Sequence, residues 1–351
     1  MGWVLVDSPT PPGGVRPERF LIVRLGSLGD VVHAIPVAAA LRHRFPQAQI
    51  DWMVDPRYVE LLDLVACVDR TVPIDPRGLT RRGARVLSTL TALRRARYDI
   101  VIDLQGLLKS ALLARLVRAG CTIGFPHRYL REPLARFMYT ETPDPTGAAH
   151  VIDQNLALLE PLDVGDRRVH FPVTIPRTPA AESVAARFDR RYVMLNAGAA
   201  WPNKRWPAAR FGAVAAAIER EFGLRSIVLW GPGEQPLAAA VAAASAGAAE
   251  ASPPTAIADL VSLARPAQLM ISGDTGPLHI AAAVGTPLVA LFGPTRPERN
   301  GPWAAHDEAV SRAADCSCVY ERHCRRAVSC IEDIGVDEVM AAVRRRLGAH
   351  G

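Results

Sequence analysis

Lysine is rare in this chain, and its two occurrences point to candidate chemistry. Of 41 Lys and Arg residues, only Lys109 and Lys204 are lysine. In a chain so rich in guanidinium groups, a lysine is expected where a compact ammonium charge is needed. Lys204 lies in a Gly- and Pro-rich loop between an apolar run and a helical pattern, and a strand, loop and helix start often bind phosphate. The alternative is that both lysines are products of sequence drift on a solvated surface.

A second candidate anion-binding turn lies later in the chain. An apolar strand is predicted to end at Asp274, and Thr275 and Gly276 form the turn after it. Pro277 suits the first turn of a helix, where its missing N–H would lack a partner anyway. The free N–H groups and the dipole of a helix start attract anions. Together with the Lys204 loop, this turn predicts a diphosphate ligand. The structural alternatives are a helix cap for Asp274 and a buried core position for His279.

Two further strand ends carry acidic residues. The first predicted strand is followed by a turn with Gly26 and Gly29, from which Asp30 is expected to project at the edge of a binding cleft. The alternative role of Asp30 is to cap the following helix. Glu234 follows another strand, where an acidic side chain can accept hydrogen bonds from ribose hydroxyls. For Glu234 the alternative is an ordinary acidic residue of a turn.

Four of the six cysteines lie close together near the end of the chain, at Cys316, Cys318, Cys324 and Cys330. Paired zinc ligands are usually separated by two to four residues, whereas one residue separates Cys316 from Cys318. Two interpretations therefore remain open: a structural metal site, and free or oxidisable thiols. Because no secretion signal is evident, reduced thiols are favoured over a disulfide framework.

The bulk composition restricts the class of protein. The net charge is +6 and 49% of the residues are hydrophobic, which suits a globular protein with a large interior. No apolar run reaches the ~20 residues of a membrane span, and the N-terminal stretch lacks the apolar core of a signal peptide. We therefore expect a cytoplasmic protein. Its positive charge favours acidic partners: an anionic ligand, a membrane surface or nucleic acid.

Apolar runs alternate with helical patterns along the whole chain, which predicts parallel sheets covered by helices. The length exceeds one ordinary core, and a Pro-rich segment over 171–180 is the best linker candidate, so we expect domains at 1–175 and 176–351. The Ala-rich stretch 237–251 is expected to be a surface helix or loop. The predicted strands are 20–25, 50–54, 71–74, 100–104, 192–195, 226–230, 269–272 and 288–292, and the predicted helices include 36–45, 85–97, 109–119 and 208–222.

Five segments in the same order resemble the ADP-heptose lipopolysaccharide heptosyltransferases, most closely the heptosyltransferase I branch. The resemblance extends from residue 20 to about residue 347 and implies an α/β fold of GT-B architecture, in which two Rossmann-like domains face each other across a cleft. It also implies an inverting reaction that needs no cofactor and no divalent metal for the chemistry. The five segments are 25–36, 103–110, 131–134, 204–207 and 272–279.

The resemblance implies roles for individual residues. Asp30 matches the general base, Lys204 the lysine that contacts the donor phosphates, and Asp274 the acid that holds the heptose. In the C-terminal domain, which would bind ADP-heptose, Ala199 and Ala200 replace a pair of hydroxyl residues, so those donor contacts are lost or come from the backbone. The other donor-binding matches are Thr275, Gly276, His279 and, at the ribose, Glu234.

The N-terminal domain would then bind the acceptor. The resemblance implies Kdo-lipid A of the lipopolysaccharide inner core, whose carboxylates and phosphates suit basic side chains. Lys109 and Arg131 match basic positions of the acceptor half, and Arg24 and Arg128 are further candidates. For the basic stretch 81–97 a solvated helix face is the favoured interpretation, and contact with anionic lipid at the inner face of the cytoplasmic membrane is the alternative.

Other functions remain open at this point. A related heptosyltransferase acting on a second core heptose, a protein or a small metabolite would keep the same donor site. A non-catalytic nucleotide-sugar-binding protein would bind the donor without turnover. A dinucleotide oxidoreductase is disfavoured because the first glycine turn lacks the G-x-G-x-x-G spacing. We expect no nucleic-acid partner.

Overall fold

The computed structural model describes residues 17–75, 83–165, 168–189 and 191–348. Within them the chain divides into two compact units. The first unit holds the residues up to 26 together with 33–148 and 152–172, and the second holds 27–32, 149–151 and the residues from 173 onward. Part of the basic stretch 81–97, namely Arg81 and Arg82, lies outside the described residues.

The described residues up to 165 form a five-stranded sheet with helices between the strands. Short 3₁₀ turns follow several of these elements, at Pro56–Tyr58, His127–Tyr129, Pro133–Met138 and Glu160–Leu162. The strands are β1 (Arg19–Val23), β2 (Gln49–Val54), β3 (Arg70–Pro73), β4 (Ile100–Asp103) and β5 (Cys121–Gly124), and the helices are α1 (Leu28–Arg44), α2 (Val59–Leu62), α3 (Gly83–Ala96), α4 (Leu108–Val117) and α5 (Val151–Ala157).

The strand order of the first sheet is β3-β2-β1-β4-β5, and all of its pairings are parallel. The central strand β1 places Phe20 opposite both Ile50 and Ile100. Because helices cover both faces of such a sheet, its strands are almost continuously apolar, as β1 is. The chain direction across the sheet reverses between β1 and β4, so the loops that follow these strands lie side by side.

The second unit repeats the same plan with six strands. Two 3₁₀ turns, Pro202–Lys204 and Cys330–Asp333, interrupt the alternation. The strands are β6 (Tyr192–Asn196), β7 (Arg225–Leu229), β8 (Ala249–Ala251), β9 (Leu269–Gly273), β10 (Leu288–Phe292) and β11 (Glu308–Ser311), and the helices are α6 (Pro179–Arg187), α7 (Ala208–Phe222), α8 (Gln235–Ala244), α9 (Ile257–Ala264), α10 (Gly276–Ala283), α11 (Pro297–Asn300) and α12 (Val336–Gly348).

The strand order of the second sheet is β11-β10-β9-β6-β7-β8, again parallel throughout. The order reverses between β6 and β9, the two strands that precede Lys204 and Asp274. A ligand of an open parallel sheet binds at such a reversal, beyond the carboxyl ends of the strands. The topology therefore places the two sequence motifs at one edge of one sheet. A large buried core that includes Trp206 and Phe211 supports this edge.

The predicted α/β fold, with parallel sheets covered by helices, is confirmed. The predicted helix at 36–45 was wrong at its start, because α1 begins at Leu28 and Pro36 lies inside it. The Ala-rich stretch 237–251 divides into most of α8 and the short strand β8, with Ala238 and Val241 buried. Among the described residues, no helix is both long and apolar enough to span a bilayer.

The close contact between α7 and the end of α8 depends on Gly212. A Cβ atom at Gly212 would lie 2.5 Å from the Cβ of Ala244 and 2.6 Å from its carbonyl carbon. Helix propensity alone predicts that Gly212→Ala raises the free energy of unfolding by about 1 kcal/mol. We expect a decrease of about 1–3 kcal/mol instead, since a methyl group overpacks this contact.

Urea unfolding measures this difference, with Gly348→Ala as the matched control, because a Cβ at Gly348 meets no atom within 4 Å. Stabilisation by Gly212→Ala would contradict the packing described.

Candidate functional site

Lys204 lies in a loop whose conformation follows from its local sequence. Pro202 begins a 3₁₀ turn, and the backbone N–H of Lys204 donates to the carbonyl of Trp201. The Lys204 ammonium lies 4.8 Å from the centroid of the Trp201 ring, a cation–π contact. Its side chain is only 15% exposed. The loop thus presents one compact positive charge at the end of β6.

That charge is paired with Asp274, the residue after β9. The distance from Lys204 Nζ to Asp274 Oδ2 is 2.6 Å, and Nζ also lies 3.3 Å from the Asp274 carbonyl. Such an approach requires a residue without a side chain at Gly273, where a Cβ would lie 2.8 Å from the Lys204 carbonyl oxygen. The glycine of the Ser-Gly-Asp motif therefore has a packing function.

Asp274 is buried and contacts three side chains. Thr295 Oγ1 donates to its Oδ2 at 2.7 Å, and His279 Nε2 lies 3.1 Å from its Oδ1. Burial by itself opposes ionisation, but the hydrogen bond with His279 and the charge of Lys204 outweigh it. The pKa of Asp274 is consequently far below its ordinary value. The carboxylate stays charged at neutral pH and holds three side chains in place.

Side-chain hydrogen bonds also hold the helix start after Asp274 in place. Thr275 occupies the N-cap position of α10 and Pro277 lies in its first turn, as predicted. The Thr275 hydroxyl accepts a hydrogen bond from Asn196 Nδ2 at 3.1 Å, and the same amide group contacts Ser272 and the Gly198 carbonyl. Asn196 therefore joins the end of β6 to the start of α10. The backbone N–H groups of this helix start form a site suited to an anion.

Glu234 belongs to the same edge of the sheet. Its carboxylate accepts from the backbone N–H of Gly231 at 3.0 Å. It also lies against Gly198, in the loop that leads to Lys204, where a Cβ would be 2.1 Å from Glu234 Oε2. The structure thus brings five predicted donor-site residues and Lys204 to one edge: Glu234, Asp274, Thr275, Gly276 and His279.

Sequence reasoning missed Asn196 and Thr295 as members of this site. Each is a polar residue at or just after the end of an apolar strand, β6 and β10 respectively, and both are buried. The sequence signal was a single polar residue at or after the end of an apolar run, which is too common to identify a site residue. Ala199 is buried, and its carbonyl oxygen accepts a hydrogen bond from Arg205 Nε at 2.8 Å.

Asp30 lies in the first turn of α1. Its Oδ2 accepts hydrogen bonds from the backbone N–H and the hydroxyl of Ser27, at 3.0 and 2.9 Å. This is the geometry of a residue that stabilises a helix start. Its role as a base stays a prediction.

The four basic residues predicted for the acceptor have different environments. Arg24 is buried, and its guanidinium donates to the Leu104 carbonyl. Arg128 pairs with Asp144 and contacts Thr146. Lys109 and Arg131 are both exposed. Their chain neighbours are joined by a 2.6 Å hydrogen bond from the Leu108 backbone N–H to Glu132 Oε2. The segments that carry Lys109 and Arg131 are therefore joined by this hydrogen bond.

The helix that carries Lys109 is held by a buried carboxyl group that the sequence did not indicate. Asp103 accepts from Ser110 Oγ at 2.9 Å, Tyr139 Oη at 2.8 Å and the backbone N–H of Gln105 at 2.9 Å. Burial raises the pKa of Asp103, although these hydrogen bonds oppose the rise. Asp103 fixes the loop between β4 and α4, and thereby the position of Lys109.

The four late cysteines also come together. Cys316 and Cys318 sulfurs are 3.3 Å apart, Cys318 and Cys324 are 3.3 Å apart, and Cys330 lies 3.0 Å from Cys316. Cys316, Cys318 and Cys330 form a group with the spacing of metal ligands.

Comparisons with known proteins agree with this architecture. The sequence model of glycosyltransferase family 9 (heptosyltransferase) matches residues 86–328. Lipopolysaccharide heptosyltransferase 1 of Pseudomonas aeruginosa is 28% identical over 320 residues, which cover 87% of each chain. The same named enzyme of Escherichia coli K12 is 27% identical over 310 residues, covering 84% of this chain and 93% of that protein.

Solved structures show the same fold. The glycosyl transferase family 9 protein of Veillonella parvula superposes with a TM-score of 0.80 at 22% identity, covering 95% of this chain and 98% of that one. The E. coli heptosyltransferase WaaC with ADP-2-deoxy-2-fluoro heptose gives a TM-score of 0.72 at 23% identity, covering 93% and 99%. The predicted α/β class of the GT-B type is confirmed by these neighbours.

The ion pair makes a prediction about stability, with the only other lysine as a matched control. Lys204→Met should lower the free energy of unfolding by roughly 3 kcal/mol at neutral pH, because the buried Asp274 carboxylate loses its ammonium partner. Lys109→Met should change it by less than about 0.5 kcal/mol, since Lys109 is exposed. Denaturant unfolding of both variants measures the difference.

The pH dependence of the folding stability follows from the lowered pKa of Asp274. The stabilisation by its carboxylate is complete above the ordinary pKa of about 4 and is lost as pH falls through the lower folded-state value. Lys204→Met should raise that folded-state value. The stability gap between wild type and variant should therefore be largest at neutral pH and shrink in acid. Equal gaps at pH 7 and pH 3 would contradict the assignment.

Proposed function

Because this chain belongs to glycosyltransferase family 9, the heptosyltransferases, we propose that it transfers heptose from ADP-heptose to Kdo-lipid A of the lipopolysaccharide inner core. The observation that carries the proposal is the cluster of Lys204, Asp274 and His279 beside the start of α10, which suits a sugar diphosphate. The names of the relatives, lipopolysaccharide heptosyltransferase 1, favour a lipopolysaccharide acceptor. The catalytic residues of the proposal are Asp30 and Lys204.

The proposed reaction is a single displacement with inversion. Asp30 takes the proton of an acceptor hydroxyl as its oxygen attacks the anomeric carbon of the heptose. The bond from that carbon to the phosphate oxygen breaks, and ADP leaves with the electron pair. Lys204 and the N–H groups at the start of α10 stabilise the negative charge on the departing diphosphate, which a divalent metal does in other glycosyltransferases. The chemistry is therefore proposed to need no metal.

Asp274 and Glu234 have supporting roles in donor binding. Asp274 orients Lys204 and His279, and its remaining acceptor capacity suits the hydroxyls of the heptose. Glu234 lies beside Gly198 and suits the hydroxyls of the ribose. Thr275 and Gly276 supply the backbone at the helix start. In this arrangement the backbone of the 197–201 loop takes the place of the hydroxyl residues that Ala199 and Ala200 replace.

For the acceptor, exposed Lys109 and Arg131 are the favoured contacts. Both lie beside the Leu108–Glu132 hydrogen bond, on a surface with free access to solvent. Arg128 would have to exchange Asp144 for an acceptor carboxylate or phosphate. Arg24, whose guanidinium donates to the Leu104 carbonyl, is the buried member of the proposed acceptor set.

Four exposed apolar side chains support peripheral contact with the inner face of the cytoplasmic membrane. They lie on α4 and on the 3₁₀ turn packed against it, next to Lys109 and Arg131, and an apolar patch with basic neighbours suits an anionic lipid surface. We name this group the α4 patch; its members and exposed fractions are Leu108 (39%), Leu112 (47%), Leu134 (63%) and Phe137 (77%).

The proposal predicts that Asp30→Asn abolishes transfer and leaves ADP-heptose affinity within a few-fold of wild type. Asparagine retains an oxygen that can accept from Ser27 but cannot take a proton from the acceptor. The assay follows ADP release and the mass of the lipid product from ADP-heptose and Kdo-lipid A, with EDTA present throughout. Turnover by the variant would refute the role of Asp30 as the general base. If the wild type transfers heptose only to another sugar, protein or metabolite, the proposed acceptor is wrong. If it binds the donor without turnover, the proposed transferase activity is wrong.

Lys204→Arg tests whether positive charge alone suffices. The pocket holds Nζ between Asp274 and the Trp201 ring, so a broader guanidinium should misplace the leaving group. We expect kcat to fall at least roughly tenfold, or about 1.4 kcal/mol of transition-state stabilisation. Lys109→Arg should instead alter mainly the acceptor KM. Steady-state kinetics with each substrate varied in turn separates the two effects, and wild-type behaviour of both variants would leave the lysines without a special role.

The α4 patch predicts binding to anionic vesicles. Replacing Leu134 and Phe137 by serine should reduce sedimentation with phosphatidylglycerol-containing vesicles at least roughly tenfold, because burial of each large apolar side chain contributes about 1.5–3 kcal/mol. Serine at exposed Val328, far along the chain in the second unit, is the matched control. Equal vesicle binding by both variants would remove the patch from the membrane proposal.

A further inference from the structure

We propose that Cys316, Cys318, Cys324 and Cys330 form a closed tetrathiolate site for one transition-metal ion, and that this site holds the Lys204 loop and the Thr295 turn in place. The four sulfurs are linked by contacts of 3.0–3.3 Å. Tetrahedral coordination with metal–sulfur bonds of about 2.3 Å places the sulfurs about 3.8 Å apart, slightly farther than observed. The Cys316, Cys318 and Cys330 sulfurs all lie within 4.8 Å of one another, which are the dimensions of a single-ion site, and Cys324 adjoins this group through its 3.3 Å contact with Cys318.

The surrounding segment has no regular secondary structure and little apolar burial of its own. Residues 312–329, all of which the structure describes, contain neither a helix nor a strand. The interior of this segment is formed almost entirely by sulfur: Cys316, Cys318 and Cys330 are buried, with only Val319 and half-buried Cys324 packed against them. A loop without an apolar core is normally held by a disulfide or a metal. The other two cysteines, Cys67 and Cys121, lie in the first unit.

The number of sulfurs favours a metal over a disulfide. A disulfide joins two sulfurs at about 2.05 Å, whereas here Cys316 contacts both Cys318 and Cys330, and Cys318 contacts Cys324. Four thiolates fill a tetrahedral coordination sphere and leave no position for substrate or water, which is typical of structural sites. Zinc and iron both suit four sulfur ligands.

The cysteine segment contacts both sides of the Lys204–Asp274 pair. Asn203, the neighbour of Lys204, donates from Nδ2 to the Glu321 carbonyl at 2.9 Å, and Glu321 N–H in turn donates to the Cys318 carbonyl. On the other side, Tyr320 N–H donates to the Pro294 carbonyl at 2.7 Å, one residue before Thr295. The turn that begins at Cys318 is thus connected to both loops that hold Asp274.

Metal content tests the proposal independently of enzymatic activity. Elemental analysis of the full chain, purified with a reductant, should find about one equivalent of zinc or iron. An iron site would absorb visible light and a zinc site would not. Cys318→Ser should reduce metal content at least fivefold, whereas Cys121→Ser, outside the cluster, should retain it. Absence of both metals from the wild type, or undiminished content in Cys318→Ser, would overturn the site.

A second measurement covers the case in which cluster variants do not fold. The Cys67→Ser/Cys121→Ser chain keeps only the four cluster thiols, so titration with an organomercurial should release its metal as these thiols react. Release of one ion per four thiols supports the tetrathiolate. Disulfide-linked peptides from unreduced, alkylated protein would overturn it.

Asn203→Ala tests the link to the Lys204 loop. It should leave metal content unchanged and weaken ADP binding about two- to tenfold, the effect of losing one hydrogen bond. Unchanged ADP affinity would overturn the positioning role. If wild type holds the metal yet binds no ADP, the proposed donor has failed while the metal site stands.

Discussion

The buried ion pair between Lys204 and Asp274 is the interaction on which the second unit's binding edge depends. Two charges removed from water are costly unless their hydrogen-bonding capacity is satisfied. Thr295 and His279 satisfy the carboxylate, and Gly273 lets the Lys204 backbone approach it. Lys204, Asp274 and Thr295 lie in loops that follow parallel strands, Gly273 ends β9, and His279 lies in α10. The strand order, the glycine and the neighbouring loops therefore act together to bring one ammonium and one carboxylate into contact.

Both sheets place a buried carboxyl group at the end of the strand beside their first strand, but with opposite electrostatics. Asp103 ends β4 and is surrounded by neutral donors, so burial raises its pKa. Asp274 follows β9 and faces an ammonium and an imidazole, so its pKa falls. The same topological position thus serves the stability of a loop in one unit and a charged binding site in the other. The charge of the partners, rather than the fold, distinguishes the two.

Much of this arrangement was readable from the sequence, because buried parallel strands and amphipathic helices leave strong local patterns. The helix 208–222 and the strand 288–292 were predicted to the residue. Long-range pairing was not readable. The contact of Lys204 with Asp274 depends on β6 lying beside β9, and the burial of Arg24 depends on β4 lying beside β1. The Asp144 partner of Arg128 likewise left no local signal, and single polar residues such as Asn196 and Thr295 are too common after strands to identify.

The two lysines differ so much in exposure that an amine-reactive reagent should modify one lysine side chain and not the other. Acylating reagents need an accessible amine, and Lys204 does not offer one while its side chain is held by Asp274 and covered by Trp201. Lys109 is exposed on the first turn of α4. A reagent specific for lysine side chains will therefore attach a fluorophore or cross-linker at one internal position of the native protein. Reaction at Lys204 would then report that the ion pair has opened.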